Sequence, residues 1–211
     1  FAFPIIILVL FYTSLTAFRD FRDNFARELW DTLGYQDTAS IYTISEIPIA
    51  IAVLVILGLL GFVKNNMKAF LIYHYLLLFG AILIGVCTWL FQLHYISPFM
   101  WMILTGFGLY LCYVPFGCIF FDRMVAVFKI KGNSGFLIYI ADSFGYLGSM
   151  LILLYKNFGQ PTLSWLEFFM NGTYLISIMG ATITMSSLLY FVKKKKQNEM
   201  EEINNLQIAS L

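Results

Sequence analysis

Apolar stretches about as long as a bilayer is thick recur six times along the chain, with short polar turns between them. A membrane-crossing helix needs about 20 mostly apolar residues. The pattern predicts spans over 4–24, 40–63, 67–91, 98–121, 134–155 and 165–192. The helix of the first span is predicted to run on to about Leu33. Pro4 and Pro98 fall in first helical turns, where a missing N–H costs nothing. Pro48 and Pro115 fall inside spans and predict kinks or broken turns. Residues 197–211 are polar and are read as a frayed cytoplasmic tail. The expected fold is an all-α polytopic membrane protein, with a six-helix domain over 1–196 and a tail over 197–211.

One stretch departs from the apolar pattern. "AFRDFRDNFARELW", residues 17–30, carries three arginines, two aspartates and a glutamate at the end of the first span. On a helical wheel Tyr12, Thr16, Arg19, Asp23, Arg27 and Trp30 fall on one stripe. Phe18, Phe21, Phe25 and Leu29 fall on another, on the opposite side. The charges are therefore sorted. Arg19–Asp23 and Asp23–Arg27 are spaced for i,i+4 pairing. Counted from Pro4, Arg19 lies about 22 Å along the helix at ~1.5 Å per residue, inside a hydrocarbon core ~30 Å thick. A polar stripe at that depth suits a helix lining a water-filled cavity; the alternative is an amphipathic extension lying in the headgroups.

Composition supports the membrane reading. Of 211 residues, 60% are hydrophobic and 12% are charged, against about 25% charged in a soluble domain. The mean hydropathy is +0.80. A net charge of +1 gives no footprint for a nucleic-acid partner. Cys87, Cys112 and Cys118 lie in apolar runs without metal-ligand spacing and read as small buried hydrophobes. The chain opens on phenylalanine inside an apolar run, with no basic region and no cleavage site, so 1–18 is not a signal peptide. It reads as a piece of a longer protein, cut just before a helix.

Lys/Arg bias sets the expected orientation. Lys64, Lys68, Arg123, Lys129, Lys131 and Lys193 to Lys196 fall on one side, nine in all; Arg19, Arg22, Arg27 and Lys156 fall on the other. The nine-residue side is expected to be cytoplasmic, with both ends of the chain, in the cell's plasma or inner membrane. The Lys193–Lys196 run also attracts anionic lipid. The "NGT" at 171–173 falls inside a span, where no glycan can be added.

Ionisable residues within spans are functional candidates by default. Glu46 lies about a turn and a half into the second span and Asp142 near the middle of the fifth. Each has a structural alternative: Glu46 paired with an arginine of the opening stretch, Asp142 hydrogen-bonded to a neighbouring helix. His74, on the third span, reads as a satisfied core histidine. Ala141, Gly145 and Gly148 let another helix approach the fifth span closely. No HExxH, GxSxG, P-loop or GxGxxG opening a helix is present, so the chain is read as neither an enzyme nor a cofactor or metal binder.

Taken as two triplets, the spans share a pattern. The second helix of each carries the deep acid, Glu46 or Asp142, and the third is the blandest. Inverted three-helix repeats of this kind build each half of major facilitator transporters.

Four short motifs extend that likeness. "FRDFRDNF" offers Arg19 followed by Asn24 and Phe25; "IYTISEIP" offers an aromatic and then Glu46; "YVP" runs from Tyr113 to Pro115; "FGYLGS" holds Tyr146. With these the chain resembles the C-terminal half of the major facilitator superfamily, most closely its organophosphate–phosphate antiporter branch. It is also similar to a family of major-facilitator-like proteins known only as a domain of unknown function. The loop "GFVKNNMK" differs, lacking the aspartate and arginines of the branch's signature between helices eight and nine. The resemblance implies a secondary transporter working by alternating access against an N-terminal six-helix half, on a small anionic or organic solute. It implies that Arg19 holds an anionic group, with Arg22 one turn away as the substitute. Tyr12, Asp23, Glu46, Tyr113, Asp142 and Tyr146 complete the expected substrate site. Spans 1, 2, 4 and 5 are expected to line the cavity and spans 3 and 6 to face lipid. The expected partners are the other half, the solute and membrane lipid. The rival reading is a non-transporting membrane sensor or interaction protein on the same fold.

Overall fold

The computed structural model describes residues 2–36, 40–159 and 162–209. Helix α1 is Ala2–Asn24 and α2 is Ala26–Thr32. They are separated only at Phe25, and the hydrogen bonds from Phe25 to Phe21 and from Leu29 to Phe25, both 3.0 Å, carry the helix across the break. Then follow α3 (Ser40–Gly61), α4 (Asn66–Gln92), α5 (Pro98–Pro115), a π-helical stretch Phe116–Phe120, α6 (Phe121–Phe128), α7 (Ser134–Phe158) and α8 (Trp165–Ala209). Six of the resulting helical units are long and apolar enough to cross a membrane. The chain is built as an integral membrane protein.

Local chemistry fixes the helix ends. Asn65 and Ser97 accept hydrogen bonds from the backbone N–H groups of Lys68 and Met100 at the starts of α4 and α5. At α8 a capping box closes both ways: the Glu167 carboxylate accepts from the N–H and hydroxyl of Ser164, and Ser164 Oγ accepts from the N–H of Glu167 at 3.2 Å.

Two boundaries differ from the sequence expectation. The fourth span does not end at 121 but runs from Pro98 to Phe128. Pro115 has no N–H to give the preceding turn, and the wider π-helical turn at Phe116–Phe120 follows it before α6 resumes. Pro48, by contrast, lies within an uninterrupted α3. The tail, expected to fray from 197, continues α8 as far as Ala209, with an i,i+4 bridge of 3.3 Å from Lys195 to Glu199; residues 210–211 of that tail lie outside the described residues. Among the cysteines, Cys87 and Cys112 are buried as expected, but Cys118 is exposed on the π-helical stretch.

The long helices form two layers. In front, α7 packs on α1, α1 on α5, and α5 on α3; behind, α8 packs on α1 and α4, and α4 on α5. Apolar association has little to drive it in lipid, so close backbone approach and interhelical hydrogen bonds do the joining. A Cβ added to Gly148 of α7 would sit 2.6 Å from Thr13 Cγ2 and 3.1 Å from the Thr13 carbonyl oxygen of α1. Gly80 and Gly108 stand in the same relation between α4 and α5. Behind, Trp101 donates to Thr88 at 3.0 Å, and Thr88 meets Thr173 of α8 at 3.0 Å. His74 is a satisfied core residue, between the Phe70 carbonyl at 2.9 Å and Ser187 Oγ at 3.0 Å.

The apolar stripe of α1 has its partner. Phe18, Phe21 and Phe25 stack against Trp165, Phe168 and Phe169 of α8. The remaining sides of α1, which carry Arg19 and Arg22, meet α3, α5 and α7.

Candidate functional site

Arg22 is 2% exposed, so its charge must be met from within the protein. Its Nη2 donates to Glu46 Oε1 of α3 at 2.7 Å and to the Met102 carbonyl of α5 at 3.3 Å. Its Nη1 reaches Asp23 Oδ1 at 3.4 Å. Gly106 of α5 makes the room: a Cβ there would lie 2.7 Å from Nη2 and 2.8 Å from Cζ. Asp23 is held from its other oxygen by the Tyr110 hydroxyl of α5 at 3.0 Å. These groups form the polar end of a cavity of about 560 Å³ between α1, α2, α3 and α5. Its remaining wall is apolar and aromatic, including Trp30, Tyr42, Val53 and Leu54.

A second cluster lies toward α7. Arg19 is ion-paired with its neighbour Asp20 through Nη2 and, at 3.0 Å, through Nε. Its guanidinium carbon sits 4.1 Å from the centroid of the Tyr113 ring. Tyr113 stacks on Tyr12 at 5.2 Å, and the Tyr12 hydroxyl donates to Asp142 of α7. Asp20 accepts a further hydrogen bond from Ser149, also on α7. The chain Asp20–Arg19–Tyr113–Tyr12–Asp142 thus ties α1 to α5 and α7.

Seven of the eight candidate residues therefore enter two clusters rather than one site: Arg22, Asp23 and Glu46 in one, Tyr12, Arg19, Tyr113 and Asp142 in the other. Tyr146 enters neither, being 68% exposed on α7. Both helical pairs expected along α1 are replaced. Asp23 turns to Arg22 and Tyr110, and Arg27 pairs with Asp31 at 3.6 Å. Trp30, expected on the polar stripe, is buried against Tyr35 and Phe99.

Tyr110, Ser149 and Gly106 are not among the sequence candidates, and Asp20 enters there only as an added charge beside Arg19. Tyr110 is one turn before Tyr113, and Ser149 closes the "FGYLGS" motif. Both signals were within reach.

Each cluster has one arginine and two carboxylic acids: Arg22 with Asp23 and Glu46, Arg19 with Asp20 and, through the tyrosines, Asp142. Counted with every group ionised, each carries an excess negative charge. Among the described residues, no group of His, Cys, Asp and Glu side chains is placed to hold a metal ion.

Residues 1–194 match the model of a family of unknown function, DUF5690, and the chain belongs to that family. No curated protein and no solved structure matches it.

Proposed function

We propose that this member of the DUF5690 family is the C-terminal six-helix half of a secondary transporter of the major facilitator type, moving a small organic solute by alternating access. The observation that carries the reading is where the ionisable side chains lie. Both clusters sit in the front layer, on α1, α3, α5 and α7. The back layer, α4 and α8, meets there through neutral groups such as Thr88, Thr173, His74 and Ser187. Charged groups inside membrane spans are costly and mark solute or ion pathways.

The helix pairing supports a pair of inverted repeats. Take α1, α3 and α4 as one triplet and α5, α7 and α8 as the other. Exchanging the triplets turns the α1–α7 packing into α5–α3 and the α1–α8 packing into α5–α4, while α4–α8 and α1–α5 map onto themselves. A pseudo-twofold axis in the membrane plane generates this pattern in transporter halves. The proposed partner is an N-terminal half seated on the front layer, where α3 and α7 expose Ile47, Ile51, Leu54, Tyr139, Leu147 and Met150. The Lys/Arg bias favours the orientation with both ends of this chain on the cytoplasmic side.

Arg19 is the residue assigned to an anionic group by resemblance. It is engaged by Asp20, so a substrate anion there must displace a carboxylate. The test is solute uptake by the full-length protein in sealed vesicles, under an imposed pH or solute gradient, with Arg19→Lys beside it. Saturable gradient-dependent uptake supports the reading. Binding without flux for every solute supports the sensor instead. Unchanged transport by Arg19→Lys removes Arg19 from the site.

A further inference from the structure

We infer that the cavity between α1, α3 and α5 binds a small organic ammonium compound with an apolar body. The argument rests on which charges a ligand can touch. Arg22 is covered, with 2% of its side chain exposed, whereas Asp23 and Glu46 each expose 41%. An entering ligand therefore meets carboxylate. Glu46 uses Oε1 for Arg22 and, among the described residues, Oε2 has no donor. Tyr110 of α5 supplies one donor to Asp23; the further cation near it, Arg19 one turn back on α1, is not in the cavity lining and is engaged by its own partner Asp20. An ammonium group balances the excess charge; a carboxylate or phosphate adds to it.

Arg22 itself stays out of a ligand's reach. Its Nε–H is buried and has no acceptor. Unmet buried donors are rare and costly. This donor is covered with the rest of the Arg22 side chain, so a ligand at this end of the cavity meets the carboxylates and the Tyr110 hydroxyl. The rest of the ligand meets Trp30, Tyr42, Val53 and Leu54, aromatic and aliphatic surface suited to a ring or short alkyl chain. The volume of about 560 Å³ lies within the range of roughly 300–1,000 Å³ usual for small-molecule sites. That the bound compound is also the transported solute rests on the transporter reading; occupation of the cavity does not.

Four probes that share a phenyl ring and differ in charge test this: phenylalaninol (cation), phenylalanine (zwitterion), 3-phenylpropionate (anion) and 3-phenylpropan-1-ol (neutral). Each is titrated at pH 7 into the full-length protein in phosphatidylcholine nanodiscs, by calorimetry and by the fluorescence that Trp30→Phe removes. Phenylalaninol is expected to bind saturably, at one site per chain, at least tenfold tighter than the anion or the alcohol. Glu46→Gln is expected to weaken it tenfold or more. Ala50→Phe, which fills the cavity while keeping every charge, is expected to abolish binding and decides the matter if Glu46→Gln does not fold. Preference for 3-phenylpropionate, equal affinity across the series, indifference to Ala50→Phe or no binding of any probe overturns the inference. Phenylalaninol binding without uptake in vesicles leaves the site standing and removes the transporter reading. Uptake of another solute without phenylalaninol binding does the reverse.

Discussion

Arg22 on α1 and Glu46 on α3 meet at 2.7 Å, one partner almost wholly covered and the other two-fifths exposed. The arrangement makes the arginine dependent on the glutamate. Removing one partner of a fully buried pair costs about 3–5 kcal/mol, because a charge is left without compensation. Glu46 is open to the cavity, so Glu46→Ala is expected to cost less than that, and still to lower the thermal unfolding temperature in detergent measurably. The double variant Arg22→Met/Glu46→Leu is expected to regain most of the loss. A double variant no more stable than Glu46→Ala would show that the ion pair itself carries the α1–α3 contact.

Gly106 gives a sharper probe of the same arginine. A methyl group there would press on Arg22 Nη2, Cζ and Ile49 Cδ1, all within 2.8 Å. Gly106→Ala is expected to push the guanidinium off the Met102 carbonyl and to destabilise the protein by about 1–3 kcal/mol, as overpacking does. Gly117, with nothing within 4 Å of its added Cβ, serves as the control: Gly117→Ala is expected to leave the unfolding temperature unchanged or slightly raised.

At Gly148 the Thr13 methyl is nearest, at 2.6 Å, and beside it stands backbone that cannot swing aside. The carbonyl oxygen of Thr13 lies 3.1 Å from the added Cβ. Gly148→Val is expected to separate α7 from α1 and to break the Ser149–Asp20 contact with it. Cysteine crosslinking between the two helices reads this directly, and an unchanged crosslinking rate would contradict the packing described.

Asp142 accepts from Tyr12 whether or not it is charged. Asp142→Asn therefore keeps an acceptor and removes a titratable group. If Asp142 couples protons to transport, the pH profile of uptake shifts or flattens in this variant while Tyr12→Phe lowers the rate at all pH values. An identical pH profile for Asp142→Asn assigns the residue to the α1–α7 contact alone.

The number of spans and most of their limits were legible, because a bilayer imposes a length on any helix that crosses it. The two stripes of α1 were legible for the same kind of reason: Phe18, Phe21 and Phe25 share a side by the helical repeat and found α8 there. What the repeat cannot give is the neighbour on another helix. Arg19 and Asp23 have the right spacing to pair, yet Tyr113 on α5 draws Arg19 one way and Tyr110 draws Asp23 another. A wheel drawn for one helix contains neither tyrosine. Tyr146 is set apart in the same way. Its motif placed it in the site, but α7 turns it to a face that no described helix covers. The longer fourth span escaped notice because nothing in "PFGCIFF" marks a π-helical turn apart from the proline before it.

The pairing of the triplets also sets an order of events during synthesis. α1 is made before the helices that hold it. Its charge partner Glu46 follows Arg22 by 24 residues, but Asp142 follows Tyr12 by 130 and Ser149 follows Asp20 by 129. At roughly 5–20 residues per second, α1 waits only seconds for Glu46 but on the order of ten seconds for α7. Through that interval each arginine of the first span already has a neighbouring aspartate in reach, Asp20 beside Arg19 and Asp23 beside Arg22. The same residues that pair locally at first, Arg19 and Asp20, then become the points at which α5 and α7 join α1.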